Sequence, residues 1–325
     1  MTDASCVIQS EFTDAIAWRR DSLAADDGFF VLDQACLDEL DGAISHLRAN
    51  PLPVEMIMPD LFELPACHTL MKAVSVGLRD GVGFAIVDRL NLGEYTRQEA
   101  VILYWLLASM IGRPVAQKWN GQMIYDVYDS GRKPGNGVRP DITNVEQNFH
   151  TDNSYNHCPP HILGLLCLQT AKQGGVSRII SFSSAHNEML RRYAEYLARL
   201  YQPYYFDRQG EHAPGDIKTT FHPLFANDAG ALVARLSHFQ VVNGYALAGE
   251  RFDTQGAAAL DALEGILNEP SMWKDFNFEP GQIQFLDNRR CGHKRTAFVD
   301  HREPERKRRL VRLWLRNSGR PFYNG

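Results

Sequence analysis

Apolar side chains recur at helical spacing in two parts of the chain. A helix is predicted over residues 37–47, ending near Asn50, because apolar residues stand three or four positions apart at Leu37, Leu40, Ile44 and Leu47. A second helix is predicted to begin at Thr96, since Thr96 and Glu99 have the spacing of a capping box, and to end at Gly112. Its residues are apolar nearly all round, which predicts a buried helix.

Short apolar runs bounded by turn residues predict strands elsewhere. Residues 83–88 and 163–168 are of this kind, and the second run is continuously apolar, which indicates a strand buried on both faces. Strands are also predicted over residues 177–182, after a Gly-Gly turn, and over residues 282–286. Residues 249–276 return to helical spacing.

These elements together predict an α+β fold in which the strands form a β-sandwich or barrel. The chain lacks a strand-helix-strand rhythm and a G-x-G-x-x-G fingerprint, so a nicotinamide-binding domain is not expected. Its 325 residues and 44% hydrophobic content favour one elaborated domain. We expect residues 1–80 to form an N-terminal helical elaboration and residues 81–325 to form the core, with a helical insertion at about 249–276.

The charge and the cysteines restrict the class of protein. The formal net charge of −5 gives no general reason to expect nucleic acid or an acidic membrane as a partner. The six cysteines include no C-x-x-C pair, a pattern typical of reduced thiols in a cytoplasmic protein. The first residues do not resemble a secretory signal, and the longest apolar run, residues 100–111, is too short to span a bilayer. Assembly into a homo-oligomer stays open.

The sequence His150-Thr151-Asp152 carries two side chains that bind metals. If the segment is a strand, alternation points His150 and Asp152 to the same side, where both can hold one ion. An isolated pair of this kind is weak evidence, because it often arises by chance on a solvated surface. His293 supplies a second imidazole, and two imidazoles with one carboxylate leave open positions on a redox metal. The nearby Cys291 is expected to pack in the core.

An arginine-rich run over residues 308–315 has the alternation of a strand. One face carries Arg308, Leu310, Arg312 and Trp314, and the other face is mostly apolar. Arginines on an internal strand are costly to bury without anions, and guanidinium groups bind carboxylates through paired hydrogen bonds. A dicarboxylate ligand therefore suits this strand. The alternative is a solvated basic edge, which would suit phosphate or nucleic acid.

These residues resemble the iron(II)- and 2-oxoglutarate-dependent dioxygenases of the taurine dioxygenase and clavaminate synthase type. The resemblance covers residues 83–316. Each landmark is modest alone, and their order and spacing carry the match. The landmarks are Ile111-Gly112-Arg113-Pro114-Val115, Phe149-His150-Thr151-Asp152-Asn153-Ser154, Lys172-Gln173-Gly174-Gly175-Val176-Ser177, Asp287-Asn288-Arg289-Arg290 with His293, and the strand that begins at Arg308.

The resemblance implies a role for each matching residue. Ser177, after the double glycine, looks like a hydroxyl partner of the distal carboxylate of 2-oxoglutarate, and Arg308 looks like its salt-bridge partner. Arg312 matches a position that often faces the primary substrate in relatives, or it shares the 2-oxoglutarate carboxylate. The residues that look like iron ligands are His150, Asp152 and His293.

The resemblance also implies a fold and a reaction. The fold would be a double-stranded β-helix, or jelly roll, with flanking and inserted helices. The reaction would consume 2-oxoglutarate and oxygen, release succinate and carbon dioxide, and oxidise an unactivated C–H bond of a small molecule. Iron halogenases of related design replace the carboxylate ligand with a small residue, so Asp152 favours hydroxylation. Desaturation and oxidative cyclisation stay open as alternatives.

Several polar and aromatic residues are candidates for the substrate pocket. They suit a small polar or amino-acid-like metabolite whose carboxylate meets Arg312. For Tyr125 and the nearby Trp119, core packing is favoured over a role in the pocket. Residues 129–146, rich in glycine and proline, lead into His150 and are predicted to be either a loop that borders the site or a disordered excursion. The substrate candidates are Arg312, Tyr125, Asn153 and Tyr155.

Three other functions use parts of the same pattern. A zinc hydrolase would use the same ligands to activate water without 2-oxoglutarate, and it leaves Arg308 unexplained. A non-catalytic metal-binding or sensory protein would bind the ligand without forming succinate. A nucleic-acid demethylase would use the basic C-terminal run, but the overall acidity and the lack of interleaved aromatic residues argue against nucleic acid.

Overall fold

The computed structural model describes residues 7–133 and 140–324. The helices are α1 (Gln34–Ala49), α2 (Pro65–Asp80), α3 (Arg97–Ile111), α4 (Phe182–Arg192), α5 (Ala194–Leu200), α6 (His238–Ala248) and α7 (Thr254–Leu267). The strands are β1 (Phe29–Val31), β2 (Phe84–Asp88), β3 (Pro114–Val115), β4 (Tyr125–Val127), β5 (Gln147–His150), β6 (Ile162–Gln169), β7 (Gln173–Gly174), β8 (Ser177–Ser181), β9 (Pro203–Asp207), β10 (Thr219–Pro223), β11 (Phe225–Asp228), β12 (Ala231–Ala234), β13 (Trp273–Phe276), β14 (Ile283–Asp287), β15 (Cys291–Arg295), β16 (Phe298–Val299) and β17 (Arg309–Leu315).

The larger sheet has seven strands. Its order is β1-β2-β14-β6-β17-β3, and β4 also pairs with β17. Strand β6 lies between β14 and β17, with packed side chains on both of its faces, which explains its continuously apolar sequence. The register of these three strands sets Gln284, Leu165 and Arg312 side by side on one face of the sheet.

The smaller sheet has four antiparallel strands in the order β13-β8-β15-β5. His293 of β15 lies opposite His150 of β5, and Arg295 of β15 lies opposite Ser177 of β8. Residues two apart in a strand share a face, so His293 and Arg295 point the same way. The Ser177 hydroxyl donates to Oε1 of Gln284 at 3.3 Å. This face of the small sheet therefore looks towards the large sheet.

Two hydrophobic cores pack against the large sheet. Helices α1, α2 and α3 cover one face, where Ala85, Phe285 and Leu313 point. The second core lies on the other face and extends into α4, α5 and α7, and Trp314 points into it. Leu313 and Trp314 are neighbours on β17 and enter different cores, so the alternation predicted for residues 308–315 is confirmed.

Helices α1 and α3 confirm the two helices predicted from apolar spacing. The Thr96 hydroxyl accepts a hydrogen bond from N of Glu99 at 3.3 Å, and the Glu99 carboxylate accepts one from N of Thr96 at 2.8 Å. Most of α3 is buried, as its sequence predicted. Strands β2, β6, β8 and β14 match the predicted strands to within one or two residues. The chain therefore has the mixed α and β architecture expected from its patterns.

The structure differs from the helical insertion predicted at 249–276. Helix α7 ends at Leu267, and Trp273–Phe276 is strand β13, which pairs with β8. Its sequence, Trp-Lys-Asp-Phe, does not alternate between apolar and polar residues, so pairing with β8 and not a local pattern makes it a strand. Helix α6 comes before α7 and was not predicted. The N-terminal region is not only helical, because strand β1 adds to the large sheet beside β2.

The described parts of the chain include no helix long and apolar enough to cross a membrane. Five cysteines are free thiols, and four of them are buried. Cys291 packs in the second core, as expected from its sequence context. Burial raises the pKa of the Cys291 thiol well above its usual range, so it stays protonated and is a poor metal ligand.

Candidate metal and co-substrate site

Two imidazoles face each other across a pair of strands. His150 is the last residue of β5 and His293 is the middle residue of β15. The antiparallel register sets them directly opposite, with ring centroids 4.2 Å apart. Nδ1 of His150 lies 2.8 Å from the carbonyl oxygen of Asn148. This nitrogen therefore donates, which leaves the lone pair of Nε2 for a metal.

Asp152 lies beside the two imidazoles and belongs to a turn. Strand β5 ends at His150, and residues 152–155 form a turn in which Asn153 has a φ of 57°. The Asn288 side chain accepts a hydrogen bond from N of Asp152 at 2.8 Å and donates one to its carbonyl oxygen at 3.0 Å. The strand predicted through Asp152 is therefore wrong, because Asn288 takes the backbone bonds of this residue. The side chains of His150 and Asp152 nevertheless converge.

The two carboxylate oxygens of Asp152 have different surroundings. Oδ1 lies 3.5 Å from Nε2 of His150 and 3.5 Å from Nε2 of His293. Oδ2 accepts a hydrogen bond from Nε1 of Trp314 at 2.7 Å and lies 3.0 Å from Nη1 of Arg312. Burial alone would raise the pKa of Asp152, but the Arg312 charge and the imidazoles hold it well below its usual range. The protein thus anchors Oδ2 and directs Oδ1 at the imidazoles.

This group has the donor set of a metal centre. One ligand atom from each of His150, Asp152 and His293 lies within 4.8 Å of the others. Burial, followed by the neighbouring His150, lowers the pKa of His293 to about 4. The His293 imidazole is therefore neutral at physiological pH and has a lone pair to offer. Two imidazoles and one carboxylate fit iron(II) and leave positions open for other ligands.

A cavity of about 280 Å³ borders this group. Its lining includes His150 and Asp152, and three of the predicted substrate residues, Asn153, Tyr155 and Arg312. Asp141 and Glu146 also line it. Both belong to the predicted loop 129–146, so the described part of that loop borders the site. Residues 134–139 of the loop lie outside the described residues.

Arg312 is buried and has partners on several sides. Besides Asp152, its Nη1 lies 3.6 Å from Oδ2 of Asp141, and its Nε donates to Oε1 of Gln117 at 2.8 Å. The Tyr125 ring lies against the guanidinium, with its centroid 4.7 Å away. Arg312 therefore neutralises the Asp152 carboxylate and also borders the cavity.

The aromatic substrate candidates differ in their positions. Tyr125 is not in the lining of the 280 Å³ cavity and borders a separate one beside α3. Tyr155 is buried, and its hydroxyl bonds to the hydroxyl of Tyr323 near the C-terminus. Asn153 accepts a hydrogen bond from the same Tyr323 hydroxyl at 3.4 Å. Trp119 is 72% exposed, so core packing, the role favoured for it, is wrong.

Ser177 and Arg308, the two residues expected to bind 2-oxoglutarate, are 6% and 5% exposed. Arg308 precedes β17, and its guanidinium lies 5.2 Å from the Phe298 ring centroid. Gly175 has a φ of 72°, and a Cβ added there would lie 3.1 Å from Nε of Arg308, so glycine suits this position. Nη1 of Arg308 has no hydrogen-bond partner among the described residues. A buried guanidinium with an unpartnered donor fits an anionic ligand.

Several residues that contact the site were not assigned from the sequence. The contact made by Trp314 could have been predicted from the sequence, because strand alternation places it on the face of Arg312. The contacts of Asn288 and Asp141 could not have been predicted in this way, because turns and loops have no periodicity that predicts where a side chain points.

Comparison with known proteins decides the family. Residues 60–314 match the family described as taurine catabolism dioxygenase TauD, TfdA family. The match covers most of the chain and includes the three candidate metal ligands. The chain belongs to the TauD/TfdA family. It is an iron(II)- and 2-oxoglutarate-dependent dioxygenase, so the family, the enzyme class and the cofactors predicted from the sequence are confirmed.

Two relatives of this TauD/TfdA protein align over nearly the whole chain. FR-33289 synthase from Streptomyces rubellomurinus is 26% identical over 324 residues, which are 97% of this chain and 94% of that protein. Taurine hydroxylase-like protein SAT17 from Stachybotrys chartarum is 25% identical over 320 residues, which are 94% of this chain and 80% of that protein.

Two solved structures share the fold of this TauD/TfdA chain. An asparagine oxygenase in complex with Fe(II), 2S,3S-3-hydroxyasparagine and succinate has a TM-score of 0.66 and 19% identity, over 89% of this chain and 93% of that one. The non-heme iron oxygenase OrfP in complex with Fe, succinate and (3S)-hydroxy-L-Arg has a TM-score of 0.67 and 16% identity, over 89% of this chain and 94% of that one.

Proposed function

We propose that this dioxygenase hydroxylates an unactivated C–H bond of a small amino-acid-like metabolite, with succinate and carbon dioxide as co-products. One observation carries the proposal. Two of the candidate metal ligands, His150 and Asp152, border the same cavity of about 280 Å³ as the cation Arg312 and the anion Asp141. An amino acid bound there meets an opposite charge for its carboxylate and another for its ammonium group. The hydroxylated amino acids bound to the asparagine oxygenase and to OrfP support the same substrate class.

His150, Asp152 and His293 would hold the iron, through Nε2 of each imidazole and Oδ1 of the carboxylate. Bound iron(II) supplies the activation of oxygen that is coupled to the decarboxylation of 2-oxoglutarate. The chain itself orients the ligands. Trp314 and Arg312 hold Oδ2 of Asp152, and the carbonyl oxygen of Asn148 fixes the tautomer of His150. Such contacts set the geometry of the ligands before the metal binds.

Ser177 and Arg308 would bind the distal carboxylate of 2-oxoglutarate. The unpartnered Nη1 of Arg308 is the reason, because a buried cation without a partner is stable only when an anion arrives. The Ser177 hydroxyl would lose only a long hydrogen bond, 3.3 Å to Oε1 of Gln284, if it turned to donate to this carboxylate. Arg312 suits this carboxylate less well, because it lines the 280 Å³ cavity, whereas Ser177 and Arg308 do not. We therefore propose that Arg312 serves the primary substrate.

Asp141 would select the ammonium group of the substrate. Its Oδ2 faces Arg312, while its Oδ1 is buried with no hydrogen-bond partner among the described residues. Asn153 and Tyr155 would form the wall of the pocket, because both are tied to the Tyr323 hydroxyl. Tyr125 would act indirectly, by packing against the guanidinium of Arg312.

We further propose that the two facing sheets form a double-stranded β-helix within one domain. Residues 1–80 would be an N-terminal elaboration of a core over residues 81–325. The free cysteines support a cytoplasmic location. The net charge of −5 supports a small-molecule substrate over nucleic acid. Homo-oligomerisation stays a prediction to be tested by sedimentation.

Anaerobic reconstitution tests the proposed activity. The protein is loaded with iron(II) and 2-oxoglutarate, then exposed to oxygen with a panel of amino acids while succinate is measured. We expect a visible absorption band before oxygen is added, and succinate formation stimulated by an amino acid whose product is heavier by one oxygen atom. A product lighter by two hydrogens would instead mean desaturation or ring closure. Zinc retention with no band and no succinate would contradict the oxygenase.

Replacing Asp141 with asparagine tests the substrate class. A charged hydrogen bond contributes about 1.5–3 kcal/mol, so we expect KM for the amino acid to rise roughly 10- to 150-fold. KM for 2-oxoglutarate should stay unchanged. An analogue of the same substrate with a hydroxyl in place of the ammonium group should lose almost nothing on this substitution. The measurement is steady-state succinate formation with each substrate.

The control for Asp141→Asn is Asp126→Asn. Asp126 pairs with Arg97 outside the cavity, so its loss should leave both KM values near the wild-type values. If Asp141→Asn weakens the amino acid and its ammonium-free analogue equally, Asp141 supports the cavity wall and does not recognise the ammonium group.

A further inference from the structure

Arg295 is a second buried arginine whose charge the site described above does not use. It is 5% exposed. One terminal nitrogen, Nη2, donates to the carbonyl oxygen of Val145. Its Nε and its other terminal nitrogen, Nη1, have no hydrogen-bond partner among the described residues. Two unpartnered donors on one buried cation are costly, which indicates that a ligand completes them.

The guanidinium of Arg295 shares an aromatic neighbour with that of Arg308. Both pack against the Phe298 ring, with distances to its centroid of 4.7 Å for Arg295 and 5.2 Å for Arg308. The unpartnered Nη1 of Arg308 belongs to the same pair of cations. Two buried guanidiniums against one ring repel each other, and a bound anion would relieve that repulsion.

Carboxylates of the chain compensate this pair only partly. Among the described residues, none of the carboxylates Asp141, Asp129 and Asp300 accepts a hydrogen bond from the Arg295 side chain. Asp300 accepts from the backbone nitrogen of Arg308 at 2.8 Å through Oδ1, and its Oδ2 has no described partner. The guanidinium donors of Arg295 and Arg308 therefore still lack a direct anionic partner among the described residues.

One arginine of the pair, Arg295, lies on the same strand as the candidate metal ligand His293. Arg295 follows His293 by two residues on β15, so the two side chains share a face, and Arg295 is opposite Ser177. A step of two residues along a strand covers about 6.6 Å. This spacing suits a five-carbon diacid whose 2-oxo acid end is at the metal and whose distal carboxylate reaches the arginines.

We propose that Arg295 is a second binding residue for the distal carboxylate of 2-oxoglutarate, which is then held between Arg295 and Arg308 with Ser177 beside it. The inference rests on the proposed roles of His293 and Arg308. It predicts a specificity: the enzyme discriminates strongly against 2-oxo acids that lack a second carboxylate, because those acids leave two buried cations unpaired.

The test compares two co-substrates in the full-length, iron(II)-loaded protein. Under anaerobic conditions the absorption band is titrated with 2-oxoglutarate and with 2-oxobutyrate, which has no distal carboxylate. We expect Arg295→Gln to weaken 2-oxoglutarate binding roughly 10- to 150-fold, the range for a charged hydrogen bond. Binding of 2-oxobutyrate should be weak in the wild type and equally weak in the variant. Arg295→Lys, which keeps the charge, should restore part of the affinity.

Arg178→Gln is the matched control. Arg178 lies on the neighbouring strand β8 and pairs with the partly exposed Asp275, so its loss should leave both titrations unchanged. A double variant with Arg308→Met should lose less than the sum of the two single losses, because both residues would bind one carboxylate.

Three results would overturn the inference. Wild-type 2-oxoglutarate affinity in both Arg295→Gln and Arg295→Lys would mean that Arg295 does not contact the co-substrate. An equal loss for 2-oxoglutarate, 2-oxobutyrate and iron(II) would mean that Arg295 only supports the fold. A wild-type protein that binds iron(II) but gives no band with 2-oxoglutarate would contradict the proposed function first, and this inference with it.

Discussion

Replacing Asp152 with alanine is expected to abolish succinate formation and to weaken iron(II) binding by more than about 100-fold. Residues that only support a metal ligand contribute about 10- to 100-fold to affinity, and the loss of a ligand costs more. The change also leaves Arg312 buried with Asp141 as its remaining anion, at 3.6 Å. Breaking a buried ion pair lowers the free energy of unfolding by about 3–5 kcal/mol. Anaerobic iron(II) titration, a succinate assay and thermal unfolding measure these effects.

Two further variants separate loss of the ligand from loss of the fold. Asp152→Glu keeps a carboxylate and should retain measurable iron(II) binding and succinate formation. Asp275→Ala removes a partly exposed carboxylate from the same sheet, where it pairs with Arg178, and should behave as the wild type. Wild-type iron(II) affinity in a folded Asp152→Ala protein would show that another residue completes the metal site.

Replacing Arg308 with methionine is expected to weaken 2-oxoglutarate binding by roughly 30- to 4,000-fold, because losing one partner of a buried charge pair costs about 2–5 kcal/mol. Iron(II) affinity should change little, since Arg308 does not contact the metal-ligand group. Without co-substrate, Arg308 is a buried cation with an unpartnered Nη1. Methionine has a similar volume and no charge, so the co-substrate-free variant should unfold at the same or a higher temperature.

The neighbouring Arg309 provides the control for this experiment. Arg309→Met removes an equal charge from the first residue of β17, where the guanidinium lies over the ring of Tyr128. We expect its 2-oxoglutarate affinity to match the wild type. Equal weakening of iron(II) and 2-oxoglutarate in Arg308→Met would mean that the arginine supports the site as a whole and does not bind the distal carboxylate.

Local patterns predicted the parts of the molecule that local physics determines. The capping pair Thr96 and Glu99 begins α3 as expected, because the bonds that cap a helix involve residues three apart. The continuous apolar run of β6 indicated a strand buried on both faces, and that strand lies inside the large sheet. The segment 249–276 was less predictable, since short apolar runs suit helices and strands alike.

The candidate site was predictable in its residue types and less so in its geometry. The pair His150 and Asp152 was expected to converge through strand alternation, and it converges through a turn held by Asn288. Arg312 was expected to face a ligand, and it also lies 3.0 Å from the carboxylate of Asp152. The roles of Ser177 and Arg308 towards 2-oxoglutarate stay predictions that the titrations above test.

The sequence by itself determined the family, the cofactors and the residue types of the metal site, because those depend on motifs whose order and spacing can be read directly. Only the tertiary structure decided which atoms meet. The opposition of His150 and His293 depends on the register of β5 and β15, which are far apart in the chain. The unpartnered donors of Arg295 depend on how the two sheets bury them. Register and burial arise from long-range packing, and no local pattern specifies them.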